Sequence, residues 1–218
     1  MKVLELFAGS RSFSKVAEEL GHKTYTTDIE PFDGIDRVCD IFDFVRESSI
    51  DQMLDEFGSP EIVWASVPCT YFSVASIGHH WNKDHTPKTK EAVLGVKIVY
   101  ETIKLIHRLK PKYWYIENPR GKLRKLKVMN CNFNVLLPTH TRDTICYCQY
   151  GEDRMKPTDI WSNHQDWIPR EMCFNGNRDC HHQPAPRGSQ TGTQGLKGNY
   201  LRSIVPQQLC REILEGIK

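Results

Sequence analysis

The sequence predicts an α/β fold with a mixed, mostly parallel sheet and helices on both faces. Three observations predict it. The chain opens with a strand, a glycine turn and a helix; two later apolar strands, separated by a helical stretch, each end in a chemically useful side chain. The 218 residues, 39% of them hydrophobic, are sufficient to cover such a sheet on both sides.

The first element pair predicts a nucleotide-type binding corner. Val3–Phe7 reads as a strand, Ala8–Ser10 as a tight turn and Ser12–Leu20 as a helix. A second strand, Lys23–Thr27, ends at Asp28, about twenty residues beyond the glycine, where an acid usually holds ribose hydroxyls. The alternative for an isolated glycine is an ordinary turn, but the acid at the next strand end favours cofactor binding.

The next buried strand predicts a nucleophile. Pro68–Ser73 follows the apolar run Ile62–Ala65, and its Cys69 stands where open α/β sheets carry out chemistry. Proline directs the chain into a loop, so we expect the thiol to face a cleft. The alternative is an ordinary buried cysteine.

A third strand repeats this pattern. Tyr113–Ile116 is aromatic and β-branched, and Glu117, Asn118 and Pro119 follow it. A helix over Glu91–Leu109 would complete a βαβ unit, which places Cys69 and Glu117 on one sheet edge.

These segments, in this order, resemble the S-adenosylmethionine-dependent cytosine-5 DNA methyltransferases, and especially the small members encoded by phages and prophages. The Cys69 hexapeptide resembles the nucleophile motif, and Glu117–Pro119 resembles the Glu-Asn motif. The other matches are the first motif at Val3–Gly9, the ribose acid Asp28, the adenine pair Asp40 and Ile41, the Arg-x-Arg motif within Gln149–Lys156, and the closing motif Ile204–Pro206.

The resemblance implies a Rossmann-like class I methyltransferase fold and methyl transfer to C5 of cytosine in double-stranded DNA. Cys69 would add covalently to C6 of a flipped-out base, with Glu117 at N3 and Arg154 near O2. The implied S-adenosylmethionine contacts are Phe7, Ala8, Gly9, Asp28, Asp40, Ile41, Pro68 and Val205. Two alternatives stay open: the same chemistry on RNA, or a non-catalytic cofactor- or nucleic-acid-binding protein.

Three departures from the family pattern qualify these expectations. Arg11 and Ser12 replace further glycines of the first motif, and Lys156 replaces the second arginine of the Arg-x-Arg motif. We also expect a very short target-recognition segment at 161–198, between a catalytic and cofactor-binding domain at 1–160 and a C-terminal helix within 199–218. A segment this short predicts a short or loose recognition sequence.

Contacts to DNA are expected from the loop after Cys69 and from basic clusters. Formal net charge is only +2, so clustering matters more than total charge. The histidine pair in the loop could indicate a metal, but it lacks partner ligands nearby, which favours a mobile DNA-contacting loop. The candidate contacts are Ser73, His79, His80, Arg120, Lys156 and, in the Gly- and Pro-rich stretch 184–195, Arg187.

The eight cysteines predict either buried thiols or a zinc site. Several gather in the short recognition region, which lacks room for its own core, and a structural zinc could hold it together. One possible ligand set is Cys148, Cys173, Cys180 and His181. The spacing fits no standard zinc finger, so ordinary buried cysteines are the alternative.

The chain contains no signal-like segment and no 18-residue apolar stretch. We therefore expect no membrane association, reduced thiols and a cytoplasmic location in a bacterial or phage-infected cell. A monomer or weak dimer is expected.

Overall fold

The computed structural model describes residues 1–74, 77–184 and 198–217, and within them seven strands form one sheet. The strands are β1 Lys2–Leu6, β2 Lys23–Asp28, β3 Arg37–Val38, β4 Ile62–Ser66, β5 Tyr113–Pro119, β6 Thr141–Cys146 and β7 Pro157–Ser162. Their order across the sheet is β3-β2-β1-β4-β5-β7-β6.

Six of these strands run in the same direction, and β7 runs against them. β2 pairs with β1 and β3, and β4 pairs with β1 and β5, all in parallel. β7 pairs antiparallel with both β5 and β6. The direction of winding reverses between β1 and β4, and open α/β sheets bind ligands at the carboxyl ends of the strands at such a point.

Helices connect and cover the strands. The α-helices are α1 Ser12–Glu19, α2 Ile41–Phe44, α3 Glu47–Phe57, α4 Ile77–His80, α5 Lys90–Leu109, α6 Phe133–Leu136, α7 Asn199–Ser203 and α8 Gln207–Glu215. Short 3-10 turns occur at Leu123–Lys125 and Tyr147–Tyr150, and a π-helical turn at Val128–Asn132. No described helix is both long and apolar enough to cross a membrane.

Strand alternation divides the core between the two faces of the sheet. On one face, Leu4 and Val63 pack with residues of α2, α3 and α5, including Ile103. On the other, Trp64 stacks on Phe13 of α1 with ring centroids 4.5 Å apart, in a cluster that includes residues of α8. The predicted fold class, with helices on both faces of a mostly parallel sheet, is confirmed.

Sequence periodicity located the parallel half of the sheet well and its antiparallel end poorly. The predicted helices 12–20 and 91–109 match α1 and α5 to within a residue, whereas β6 and β7 were not predicted as strands. The last helix begins at Gln207, and Pro206 stands at the N-cap position before it. Most of the predicted irregular loop, with Arg187, lies outside the described residues.

Candidate active site

The turn after β1 forms a cradle at the switch point of the sheet. Phe7 and Gly9 both adopt the left-handed backbone region, with φ of 57° and 45°, a conformation that is uncommon for a bulky residue and typical of functional turns. The Gly9 amide donates to Asp28 Oδ2 at 2.9 Å. A Cβ added at Gly9 would lie 3.8 Å from both Asp28 Oδ2 and Ser203 Oγ. The turn after β1, Asp28 at the end of β2 and Ser203 of α7 therefore border one space.

The chain that leads to Asp40 runs alongside Asp28. The Cys39 amide, one residue before Asp40, donates to the Asp28 carbonyl oxygen at 2.9 Å. Asp40 caps α2 by accepting from the Phe42 amide at 2.9 Å. Ile41 is 7% exposed and packs into the core, so its side chain contributes packing at this edge.

Arg11 points away from the cradle, although it occupies a position where glycine was expected. Its guanidinium pairs with Glu18 on the flank of α1, and its backbone φ is 55°. On the opposite side, the Val205 amide donates to Ser12 Oγ at 3.1 Å, and the Tyr200 ring lies 5.3 Å from that of Phe32. The C-terminal motif is thus joined to the start of α1, as a motif that closes a cofactor site would be.

Cys69 is exposed just beyond the end of β4. Its carbonyl oxygen accepts from the amides of Phe72 and Ser73, both at 3.0 Å, so the loop turns back immediately after the thiol. Asn118 is fully buried, and its Nδ2 donates to the Val67 carbonyl oxygen at 2.9 Å. This bond ties the Pro68–Cys69 loop to the end of β5. Sequence reasoning named the Glu-Asn pair but gave Asn118 no role.

Glu117 lies beside the cysteine strand, since it pairs in register with Ser66 of β4. Its side chain is buried, and Tyr147 donates its hydroxyl to Glu117 Oε1 at 3.0 Å. Burial raises the pKa of Glu117 above its usual value, although the Lys156 ammonium and the Tyr147 hydroxyl act in the opposite direction. The acid is therefore more readily protonated than a surface glutamate.

Lys156 is the cation that lowers the pKa of both Cys69 and Glu117. Its Nζ lies 4.4 Å from the centre of the Tyr147 ring and donates to the Arg202 carbonyl oxygen at 2.9 Å. Desolvation lowers the pKa of Lys156, while Glu117 and Cys69 raise it. Although Cys69 is exposed to the cleft, desolvation by the surrounding protein raises the pKa of its thiol, and Lys156 lowers it. Cys69, Glu117 and Lys156 therefore form one electrostatic group.

Arg154 is arranged differently from the expected base-contacting arginine. It is 5% exposed, and both its Nε and its Nη2 lie 3.0 Å from Glu152 Oε2. The guanidinium of Arg154 is therefore already paired with Glu152. Lys156, predicted as a DNA contact, is the cation coupled to Cys69 and Glu117.

The predicted DNA-contacting groups divide into exposed and buried ones. His79 and Arg120 are exposed, and Ser73 is half-buried. The prediction for His80 is wrong: its side chain is 9% exposed, its Nδ1 lies 2.8 Å from Thr89 Oγ1, and its ring packs edge-on against Tyr71. Helix α4 turns the second histidine of the pair inward.

A basic cleft lies next to this loop. Its volume is about 290 Å³, and it is lined by Val74, Ile77, His85, Arg120, Gly121, Lys122, Arg124 and Lys125. Arg124 is bound internally to the buried Asp159, so it shapes the cleft. Arg120 and Lys125, which are exposed, are the cations of its lining that solvent reaches most freely.

The cysteine cluster also differs from the predicted ligand set. Cys148, Cys173 and Cys180 do come together, but with His182 rather than His181. Nε2 of His181 lies 2.9 Å from the Glu152 carbonyl oxygen instead. The choice between two adjacent histidines depends on the turn that precedes them, which no spacing rule specifies.

Comparison with known proteins agrees with this geometry. The model of the C-5 cytosine-specific DNA methylases matches residues 1–137. A protein named "Probable DNA (cytosine-5)-methyltransferase", from Frog virus 3 (isolate Goorha), is 27% identical over 232 residues, which cover 99% of each chain.

Solved structures show the same fold. A protein named as a DNA modification methyltransferase, encoded within an E. coli prophage, aligns with a TM-score of 0.57 at 11% identity, over 80% of this chain and 52% of that one. The methyltransferase EhMeth of Entamoeba histolytica aligns with a TM-score of 0.50 at 13% identity, over 80% and 57%. The chain thus spans little more than half the length of these structures. With the family model matching more than half of its residues, the chain belongs to the C-5 cytosine-specific DNA methylase family.

Proposed function

We propose that this protein transfers a methyl group from S-adenosylmethionine to C5 of cytosine in DNA through a covalent adduct of Cys69. The observation that carries the proposal is that the carboxyl ends of β4 and β5 lie together and are linked by a hydrogen bond. An exposed thiol follows β4, a buried acid of raised pKa ends β5, and the bond from Asn118 to the Val67 carbonyl holds the two ends together.

The residues of the cradle fit S-adenosylmethionine. The space above Gly9 would be filled by a larger side chain, and it is bordered by the Asp28 carboxylate and Ser203. Each Asp28 oxygen accepts one backbone amide, from Gly9 and from Glu30, and keeps lone pairs for ribose hydroxyls. When bound, S-adenosylmethionine supplies an electrophilic methyl group.

Cys69 and Glu117 have complementary roles toward the cytosine. The Cys69 thiolate forms a bond to C6, and the electrons of the C5–C6 double bond make C5 nucleophilic toward the methyl carbon. Loss of the C5 proton to a base then re-forms the double bond as the thiolate leaves. Negative charge that develops toward N3 is stabilised by a protonated Glu117, and the raised pKa of this acid favours that form.

Lys156 supports the nucleophile in this scheme. Its positive charge lowers the pKa of the Cys69 thiol, in opposition to desolvation and Glu117. A positioned ammonium of this kind increases the thiolate fraction available for attack on C6. This role of Lys156 differs from the one near cytosine O2 that the resemblance implies for Arg154.

The exposed cations near the active site suit DNA as substrate. C6 of a stacked cytosine is inaccessible, so the base must leave the duplex to reach Cys69. Arg120 and Lys125 border the basic cleft beside the Cys69 loop, and Lys127 is exposed nearby. Such residues bind phosphates and hold the duplex while the base is displaced.

Methyl transfer tests the proposal directly. Radiolabelled S-adenosylmethionine should label duplex DNA, with a structured RNA as the parallel arm. DNA that carries 5-fluorocytosine at the target should trap the enzyme, because fluorine cannot leave as a proton. Cys69→Ser should lose labelling and trapping while it still binds S-adenosylmethionine.

A matched control is Cys210→Ala, which removes a thiol that is buried in the core on α8 and that no base can reach. It should keep both activities. Trapping that survives in Cys69→Ser would show that Cys69 is not the nucleophile. Labelling of RNA alone would show that the substrate is RNA and not DNA.

A further inference from the structure

Four side chains that are typical metal ligands converge away from the catalytic pair. One ligand atom each from Cys148, Cys173, Cys180 and His182 lies within 4.8 Å of the other three. His182 Nδ1 is 3.6 Å from Cys173 Sγ. Cys148, Cys173 and His182 are buried, and Cys180 is half-buried.

We propose that these four residues bind one structural zinc ion. Zn–S bonds of about 2.3 Å in a tetrahedron place sulfur atoms roughly 3.8 Å apart, so the observed group needs to contract by only about an ångström. Three thiolates and an imidazole are a usual ligand set for structural zinc. Four protein ligands leave no open coordination position, which suits a structural ion.

Amide donors surround the sulfurs, as outer donors commonly do around metal-bound cysteines. Asn177 Nδ2 lies 3.4 Å from Cys173 Sγ, and Gln149 Nε2 lies 3.8 Å from the sulfurs of both Cys148 and Cys180. Donors aimed at sulfur stabilise its negative charge. A bound divalent ion would deprotonate the thiols and balance the negative charge of the buried sulfurs.

The surrounding segment also needs a source of stability other than a core. Residues 163–184, all of them described, contain no helix or strand. Trp167 packs into the neighbouring apolar cluster, but Ile168 is 85% exposed and Phe174 is 65% exposed. Small units with little buried apolar surface are commonly held by metals or disulfides. The cysteines of this cluster are free, which favours the metal.

The ion would connect this segment to the catalytic cleft. Cys148 directly follows Tyr147, whose hydroxyl donates to Glu117. Within the segment, His181 contacts the Glu152 carbonyl oxygen, and the Gln183 amide donates to the Asp153 carbonyl oxygen at 3.1 Å. The zinc site would therefore position the chain between Tyr147 and Lys156.

Metal content and cobalt spectra of the full-length reduced protein test this site. We expect about one zinc per chain by elemental analysis after purification without chelator. Replacement by Co²⁺ should give the d–d bands of a tetrahedral site and a thiolate-to-cobalt charge-transfer band. Neither measurement requires methyl transfer, so failure of the proposed function and failure of the zinc site are distinguishable.

Two variant pairs separate the proposed ligands from their neighbours. His182→Gln and Cys180→Ser should lower bound zinc at least about tenfold, whereas His181→Gln and Cys39→Ser should keep it. If a ligand variant fails to fold, alkylation of the wild type replaces it. Cys148, Cys173 and Cys180 should react only after chelation, and Cys69 should react with or without chelator.

Three results would overturn the site. The first is reduced wild-type protein that neither contains zinc nor takes up Zn²⁺ or Co²⁺. The second is a disulfide between two of the three cysteines in peptides mapped without reductant. The third is metal binding that needs His181 instead of His182.

Discussion

The sheet edge that carries Cys69 and the segment from Asn163 to Pro184 are held in place by different interactions. Ladders of backbone hydrogen bonds and two apolar clusters hold the edge. The segment has neither helix nor strand. Trp167 anchors its start in one of those clusters, and beyond Trp167 its contacts with the rest of the protein are made by polar groups and sulfurs. Burial therefore fixes the catalytic groups, whereas side-chain chemistry fixes the part that we expect to contact the target.

Truncating one aromatic side chain in each region should show the largest difference in stability between the two regions. Trp64 is fully buried and stacked on Phe13, so Trp64→Ala should destabilise the protein by about 3 to 5 kcal/mol. Phe174 is 65% exposed, and Phe174→Ala should change stability by less than about 0.5 kcal/mol. Urea unfolding of both variants measures the difference. A large loss from Phe174→Ala would mean that the segment is packed rather than held by polar contacts.

Removing one carboxylate from the cradle should have an effect of intermediate size, and this effect should be on cofactor affinity. Asp28→Ala deletes the acceptor beside Gly9, and hydrogen bonds to a charged group contribute about 1.5 to 3 kcal/mol. Affinity for S-adenosylmethionine should fall roughly ten- to a hundredfold. Asp179→Ala, at an exposed position of the cysteine-rich segment, is the control and should leave affinity unchanged. Unchanged calorimetric affinity in Asp28→Ala would shift the cofactor away from this acid.

Glu117→Gln should cause the smallest change in the free energy of unfolding, and the size of that change should vary with pH. Because burial raises the pKa of Glu117 in the folded protein, the folded state holds a proton that the unfolded state has released. This contribution to stability is complete below the unfolded pKa and is lost as pH rises through the folded pKa.

Glutamine does not titrate, so Glu117→Gln should gain stability relative to wild type as pH rises across that window. Thermal unfolding at several pH values measures it. Glu171→Gln, at an exposed position of the other region, should follow the wild type at every pH. A constant difference between Glu117→Gln and wild type would show that the pKa of Glu117 is ordinary.

Some of the site followed from the sequence because parallel strands place their carboxyl ends together. Local apolar patterns located β1, β4 and β5, and the residues after them had to meet at one edge. Gly9, Asp28, Cys69 and Glu117 were found in this way, and the structure brings Gly9 next to Asp28 and the loop of Cys69 next to Glu117.

The sequence by itself determined that most strands run parallel and which chemical groups stand at the ends of β1, β2, β4 and β5. Only the tertiary structure decided which side chains point into the cleft beyond irregular turns. Lys156, predicted only as a DNA contact, is coupled to Cys69, and His182 rather than His181 joins the cysteines. Periodicity specifies side-chain direction within helices and strands. It specifies none at Lys156, which has a φ of 29°, or in the turn before His182, so contacts between distant parts of the chain set those directions.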